Sequence, residues 1–251
     1  MKVIAFIPAR LESKRFPNKV LQLIHGIPMI EHVRRRAILS KAFSEVIVVT
    51  NSKIIKKQLS KYKAQIKLTK KRHLNGTSRV SEISKNYKFD YCCILFADEP
   101  FIHPSKLLQS IKKLKKKNFL SYNIITNLKI NDMKSKQVVK IISDNNNFIF
   151  DYFRNSNKKF IKKKIKKSSG ILIFKKKLID NYHELKVGIK EKKLKIEQFR
   201  LLENNIKIKS IFIKNIYPSI NTKKEFKNLI SLIEKKKEEV KILKKIKKIE
   251  N

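Results

Sequence analysis

A chain of 251 residues, 41% of them hydrophobic, is long enough to bury one large α/β core. No apolar stretch approaches the roughly 20 residues of a membrane span. The apolar run Val3 to Pro8 is too short for a secretory signal and has no basic stretch before it, so the expected location is cytoplasmic. The formal charge of +42 raises the question of nucleic acid. However, the basic residues are mostly lysine, spread along the whole chain among many isoleucines and asparagines, a mix that an AT-rich genome also produces. Nucleic acid is therefore not the expected partner, although anionic substrates should be attracted in a salt-dependent way.

Lys2 to Ile7 reads as a buried strand running into a polar loop that carries Pro8 and Pro17. Pro28 opens a helical pattern through Ile30, Val33, Ala37 and Ile38. Glu45–Thr50 is a second strand, Ser52–Tyr62 a second helix and Gln65–Leu68 a third strand. After a loop with Asn75 and Gly76, Thr77 is the expected cap of a helix reaching about Asn86. Tyr91–Ala97 is the most apolar strand and ends at Asp98-Glu99-Pro100. Pro104 opens the next helix, to about Lys117. From about Phe119 the rhythm changes. Leu120–Leu128, Gln137–Ser143, Asn147–Phe153, Gly170–Phe174 and Ile206–Ile213 read as strands of mixed direction. Lys158–Lys167 reads as a lysine-dense loop or arm and Ile196–Leu202 as helical. One long charged helix follows Thr222, frayed after about Lys237. Cys92 and Cys93 are adjacent in a strand, point to opposite faces, and are expected to pack as thiols.

The β-α alternation of the first half predicts a mostly parallel sheet flanked by helices. Ligands of such sheets lie beyond the carboxyl ends of the strands. That places three loops on one rim: Pro8–Lys19, Thr69–Gly76 and Asp98–Pro100. Arg10, Arg15 and Lys19, with the backbone amides of Ala9 and Arg10, suit a triphosphate through charge-assisted hydrogen bonds. The loop is neither GxxxxGK[ST] nor GxGxxG. Asp98 at a strand end is a hard-oxygen ligand suited to Mg²⁺. Gly76 permits close backbone approach, and the helix after it offers its N-terminus to an anion or a base edge. His25, His32, His103 and His183 show no ligand spacing.

These stretches together resemble the 3-deoxy-manno-octulosonate (KDO) cytidylyltransferase, or CMP-KDO synthetase, family. The resemblance lies in IPARLESKRFPNK, GIPMIEHV, HLNGTSR and ADEP followed by Phe101-Ile102. It continues more weakly in VVKII, DYF, SSGILIF, IEQFRLLENN and PSINTKKEF. It implies a nucleotide-diphospho-sugar transferase-like, Rossmann-like α/β fold with a smaller mixed-strand dimerisation insertion. A single domain would span residues 1–230, with a nucleotide-binding half (1–118) and a sugar-binding and dimerisation half (119–230). A lysine-rich C-terminal helix or tail (231–251) would follow. The implied reaction joins CTP to KDO or a related acidic sugar, giving a CMP-sugar and pyrophosphate for lipopolysaccharide biosynthesis, with Mg²⁺ as cofactor and a homodimer as the working form. A nonulosonic acid as acceptor, or a member that binds nucleotide without turnover, stays open. The resemblance assigns catalysis to Arg10, Lys19 and Asp98. It assigns substrate binding to Ala9, Arg10, Arg15, Lys19, Asn75, Gly76, Arg79 and Gln198, and metal binding to Asp98 and Asn221. The chain departs from the family pattern at Asn221, where an aspartate is usual, at Phe96 in place of glutamine, and at Ser168–Ser169, where a histidine is usual. A further departure is Arg154-Asn155, where the family's serine-arginine pair is shifted by one.

Overall fold

The computed structural model describes residues 1–13, 15–116, 118–154 and 165–249. Strand β1 (Val3–Ala9) is followed by a loop and a two-stranded ladder, β2 (Leu23–Ile24) with β3 (Ile27–Pro28). Its two-residue turn, His25-Gly26, has positive φ at both residues, as a type I′ hairpin requires. Then come α1 (Met29–Leu39), β4 (Glu45–Thr50), α2 (Lys53–Ser60), β5 (Ile66–Leu68), α3 (Gly76–Ser84), β6 (Tyr91–Leu95) and α4 (Pro104–Lys112). The second half holds β7 (Ser121–Thr126), α5 (Ile130–Lys134), β8 (Lys140–Ser143), β9 (Phe148–Phe153) and β10 (Lys166–Lys175). It continues with α6 (Lys176–Asp180), α7 (Ile189–Leu194), α8 (Phe199–Glu203), β11 (Ile208–Phe212), α9 (Lys223–Glu234) and α10 (Lys237–Lys247).

Among the described residues, nine strands form one sheet in the order β5-β4-β1-β6-β10-β7-β11-β9-β8. The block β5-β4-β1-β6 is entirely parallel, and β11 runs parallel to β7. Strand β10 is antiparallel to β6, β7 and β8, and β9 is antiparallel to β8 and β11. The register of β10 against β7 shifts between Ser168 and Leu172, which marks a bulge. Both faces of the sheet are covered. Val3, Ala5, Ile7 and Ala9 of β1 pack with Ile30, Val33 and Ala37 of α1 and Leu107 and Ile111 of α4. Ile4 and Phe6 point the other way, onto Val80 and Ile83 of α3 and Leu178 and Ile179 of α6. This two-sided burial explains why β1 and β6 are apolar throughout and show no alternation. Cys92 and Cys93 lie on these two opposite faces and are free thiols.

Several expectations are corrected. The cap of α3 is Asn75, whose Oδ1 accepts the Ser78 N–H at 2.8 Å; Thr77 is inside the helix and buried. Pro28 precedes α1 and belongs to β3, so it is not a first-turn residue. Lys166 and Lys167 belong to β10 and not to a lysine-rich arm, while residues 155–164 lie outside those described. The C-terminal region is two helices, because three consecutive lysines (235–237) interrupt the apolar pattern and α10 turns back onto α1.

That return is held by buried charge. Arg36 Nη2 donates to Glu239 Oε2 at 2.7 Å, and both side chains are almost fully buried. Arg35 reaches the Ile246 carbonyl at 2.8 Å, and Ile242 and Ile246 pack on Ile27. Removing one partner leaves the other charge buried without its counter-ion, which costs about 3–5 kcal/mol. Glu239→Ala is therefore expected to lower unfolding stability by that amount in urea titration. Glu239→Gln, which keeps an acceptor, should lose less.

Candidate functional site

The parallel strands β1 and β6 are neighbours, so their carboxyl ends bring the loop 10–19 beside the turn Asp98-Glu99-Pro100. Asn18, with φ of 51°, takes the left-handed conformation that asparagine tolerates, and the turn it makes carries Lys19 inward. Lys19 Nζ donates to Asp98 Oδ2 at 2.5 Å and to the Ile220 carbonyl at 3.1 Å. In return the Ile220 N–H donates to the Asp98 carbonyl at 2.8 Å. Asn221, some 120 residues away in sequence, is thereby set next to Asp98. Its Nδ2 donates to Ser219 Oγ at 3.1 Å, and its backbone N–H donates to Glu225 Oε2 at 2.6 Å. Phe16 from the basic loop, Phe101 from the acidic turn and Ile220 share one small apolar cluster with Leu229 and Ile233 of α9. Phe16 meets Phe226 edge-on at 5.5 Å.

The third loop closes on the same rim. The Arg79 guanidinium is buried and donates to the Ala9 carbonyl, fixing the end of β1. Burial holds its pKa below the usual guanidinium value. Gly76 lies against Pro8 and Phe96; a Cβ there would sit 2.8 Å from Phe96 Cε1 and 3.0 Å from Pro8 Cγ. The loop before it is anchored by Glu82, which accepts the Lys70 N–H at 2.6 Å and pairs with His73 at 2.7 Å. Arg10 and Arg15 are exposed on the basic loop, with Arg15 donating to Gln137 Oε1. Gln198 immediately precedes α8 and is half-buried. The predicted residues thus divide. Ala9, Lys19, Gly76, Arg79, Asp98 and Asn221 are drawn together at the strand ends. Arg10 and Arg15 line the open edge. Asn75 is committed to capping α3, and its Nδ2 donates to Glu191 Oε1 at 2.9 Å. Among the described residues no histidine joins a metal-binding cluster. His32 is buried with Nε2 on the Ile24 carbonyl at 2.8 Å, and burial lowers its pKa to about 4.

The donor set fits a divalent cation. A cationic ammonium already bridges the Asp98 carboxylate and the segment leading to Asn221. One carboxylate plus an amide oxygen suits Mg²⁺, which is held through one or two carboxylates and substrate phosphates more often than by an all-protein cage.

Residues that the sequence did not single out also crowd this rim. Glu197 Oε2 accepts the Thr77 N–H at 3.3 Å, and burial pushes its carboxyl up to about 7. The IEQFR motif was the available signal, but it pointed only to Gln198. Glu99 is buried, and its Oε1 accepts the Gly170 N–H at 2.7 Å, at the bulge in β10. A Cβ on Gly170 would overlap that carboxylate. Burial, then the charge of Asp98, pushes the Glu99 carboxyl from 4.5 to about 8. Between these two values the folded chain keeps a proton that the unfolded chain has lost. Glu99 therefore adds stability at low pH that disappears as pH rises through about 8. Urea unfolding followed over this range should show a decline with pH in the wild type that is flattened in Glu99→Gln.

The cytidylyltransferase family model matches residues 4–215. A 3-deoxy-manno-octulosonate cytidylyltransferase of Wigglesworthia glossinidia brevipalpis is 34% identical, over 92% of this chain and all of its own length. An 8-amino-3,8-dideoxy-manno-octulosonate cytidylyltransferase of Shewanella sp. (strain W3-18-1) is 33% identical, over 83% of this chain and 89% of its own. Among solved structures, a CMP:2-keto-3-deoxy-manno-octonic acid synthetase complexed with CTP superposes with a TM-score of 0.85 at 24% identity. That match covers 93% of this chain and 99% of the other, and it supports the α/β fold. With the family model spanning most of the sequence and relatives above 30% identity along nearly its whole length, the chain belongs to the cytidylyltransferase family.

Proposed function

We propose that this protein transfers the cytidylyl group of CTP to 3-deoxy-manno-octulosonate or a close acidic relative, giving a CMP-sugar and pyrophosphate for lipopolysaccharide synthesis. The observation that carries the reading is the meeting of Lys19, Asp98 and the Ile220–Asn221 segment at the end of the basic loop. The 8-amino sugar is the second acceptor to consider, because relatives named for it and for the parent acid are about equally similar to this chain. The reading places the reaction in the cytoplasm, in keeping with two buried, free thiols. A homodimer follows from the family resemblance alone.

In this reading the anomeric hydroxyl attacks the α-phosphorus, the bond to the bridging oxygen of pyrophosphate breaks, and the hydroxyl proton leaves. Such chemistry needs positioning and charge neutralisation more than a protein nucleophile. Arg10, Arg15 and the amides of Ala9 and Arg10 hold the outer phosphates, where negative charge grows as pyrophosphate departs. An ammonium has three donors; Asp98 and Ile220 take two from Lys19, and the third is left for a phosphate oxygen. Gly76 and Arg79 shape the nucleotide wall, and Gln198 with Glu197 faces the acceptor. Asp98 and the Asn221 amide oxygen would hold Mg²⁺, which when bound offsets charge at the α-phosphate.

Pyrophosphate release with CTP, Mg²⁺ and a panel of acidic sugars tests this. Release is expected with the eight-carbon acids. Measurable CTP binding with no release on any acceptor would overturn the enzymatic reading. Lys19→Ala should lower kcat/KM by about 100-fold or more, the scale for losing a preorganised donor. Asn221→Asp should reduce the Mg²⁺ concentration needed for half-maximal activity; an unchanged requirement would place Asn221 away from the metal.

A further inference from the structure

The cap of α3 is held from the far side by a buried ion pair. Arg200 at α8 binds Glu191 at α7 in a two-pronged fashion, Nε to Oε2 at 2.8 Å and Nη2 to Oε1 at 2.7 Å. Both side chains are only 4% exposed. The remaining arm of Arg200, Nη1, donates to Ser78 Oγ at 3.2 Å, inside the first turn of α3. Glu191 Oε1 also accepts from Asn75 Nδ2 at 2.9 Å, while Asn75 Oδ1 caps the same helix through the Ser78 N–H. Both ends of the Asn75 amide are therefore committed, and Gly76 after it lies so close to Pro8 and Phe96 that a side chain there would not fit.

The pair is itself rigidly mounted. The Arg200 guanidinium lies over the Tyr182 ring at 4.8 Å. Tyr182 OH donates to the Glu197 carbonyl at 3.1 Å. Glu203 caps α7 by accepting the N–H groups of Lys190 and Glu191 at 2.8 and 3.2 Å, and Gly188 alone leaves space for that carboxylate. The charge balance also matters. Glu191 and Glu197 both stand near the N-terminus of α3, where an uncompensated carboxylate would oppose an anionic ligand. Arg200 cancels one of them.

We infer that Arg200 and Glu191 are positioning residues for the nucleotide, acting through Asn75 and Ser78 to fix the first turn of α3. By the same contacts they tie the nucleotide half of the chain to the segment carrying Glu197 and Gln198. The inference rests on the proposed reading that the α3 rim holds CTP. Neither side chain needs to touch the nucleotide.

Isothermal titration of the full chain with CTP separates the two. Wild-type protein that does not bind CTP would sink the CTP reading itself and leave the positioning role without a ligand. Given wild-type binding, Glu191→Gln and Arg200→Lys should each weaken CTP by about 5- to 50-fold, the range expected for coupled buried groups. They should raise KM for CTP while kcat changes less than about threefold, which a general loss of folded protein would not do. Acting through Asn75, Glu191→Gln should be non-additive with Asn75→Ala: that double variant should bind CTP within about twofold of Asn75→Ala alone. Ser78→Ala removes the anchoring contact of Arg200 from an otherwise intact pair, and it should also weaken CTP. It carries the test if the charged-pair variants do not fold. CTP affinity within twofold of wild type in folded Glu191→Gln or Ser78→Ala, or full additivity of Glu191→Gln with Asn75→Ala, would overturn the inference.

Discussion

The site depends on one ammonium. Lys19 stands between the Asp98 carboxylate and the Ile220 carbonyl, and so joins the basic loop, the acidic turn and the start of the C-terminal helices. The ion pair is partly shielded, with its lysine 15% and its aspartate 23% exposed, so salt weakens it less than a surface pair. A single contact of this kind cannot position three loops unless their backbones are already held. The cluster of Phe16, Phe101, Ile220, Leu229 and Ile233 does that, by anchoring one apolar residue from each loop under the charged atoms. A loop with Arg10, Arg15 and Lys19 would otherwise open under its own repulsion. The apolar floor and the carboxylate together keep that positive charge concentrated where a triphosphate would sit.

The same logic separates arginine from lysine in this very basic chain. Most lysines are scattered over exposed faces, with Lys140 and Lys209 buried. The few arginines sit mostly where a planar fork is needed. Arg79 supports the end of β1, Arg34 and Arg35 share Glu31, Arg36 binds Glu239, and Arg200 grips Glu191 with two nitrogens. Arg72, exposed in the loop before α3, is an exception. A lysine supplies charge but not the two-nitrogen grip with which Arg34 holds Glu31 and Arg200 holds Glu191. Most of the net charge is therefore carried by exposed lysines, while the buried ion pairs of the fold rest mainly on arginine, with Lys19 the partly shielded exception at the site.

This division explains what could be read from the sequence. Strands β1, β4 and β6 were legible because burial on both faces leaves nearly uninterrupted apolar runs, and the loops after them were legible as rim elements. Lys19 and Asp98 could be placed on the same rim from strand order alone. Their direct contact could not, because it depends on the left-handed turn at Asn18. Glu99 was hidden because its role rests on a bulge in β10, and a bulge has no periodic signature. Glu191 was hidden in a run of lysines that looks like solvated surface, although it is 4% exposed. The cap of α3 was misread by two residues because asparagine and threonine are both competent caps, and only the Ser78 contact distinguishes them. The two-helix C-terminus was missed because its fold-back is fixed by Arg36 and Glu239, which are more than 200 residues apart.

Asn221 bears on the same rim through the orientation of its amide. An amide has one end that accepts and one that donates, so as a metal ligand it is useful in only one orientation. Here Nδ2 donates to Ser219 Oγ, and in that orientation Oδ1 is the end left for a cation. The backbone N–H of the same residue is held by Glu225, the residue that also closes the cap of α9 with Thr222. An amide in place of a carboxylate lowers the negative charge that would face a cation, so in the proposed reading Asp98 and the phosphates would supply more of it. Lys19 already takes Oδ2 of Asp98, leaving Oδ1 and the Asn221 oxygen as the acceptors available from the chain. In the proposed reading, Asp98 and Asn221 would give a cation two oxygen donors but only one negative charge, and the triphosphate would have to supply the rest.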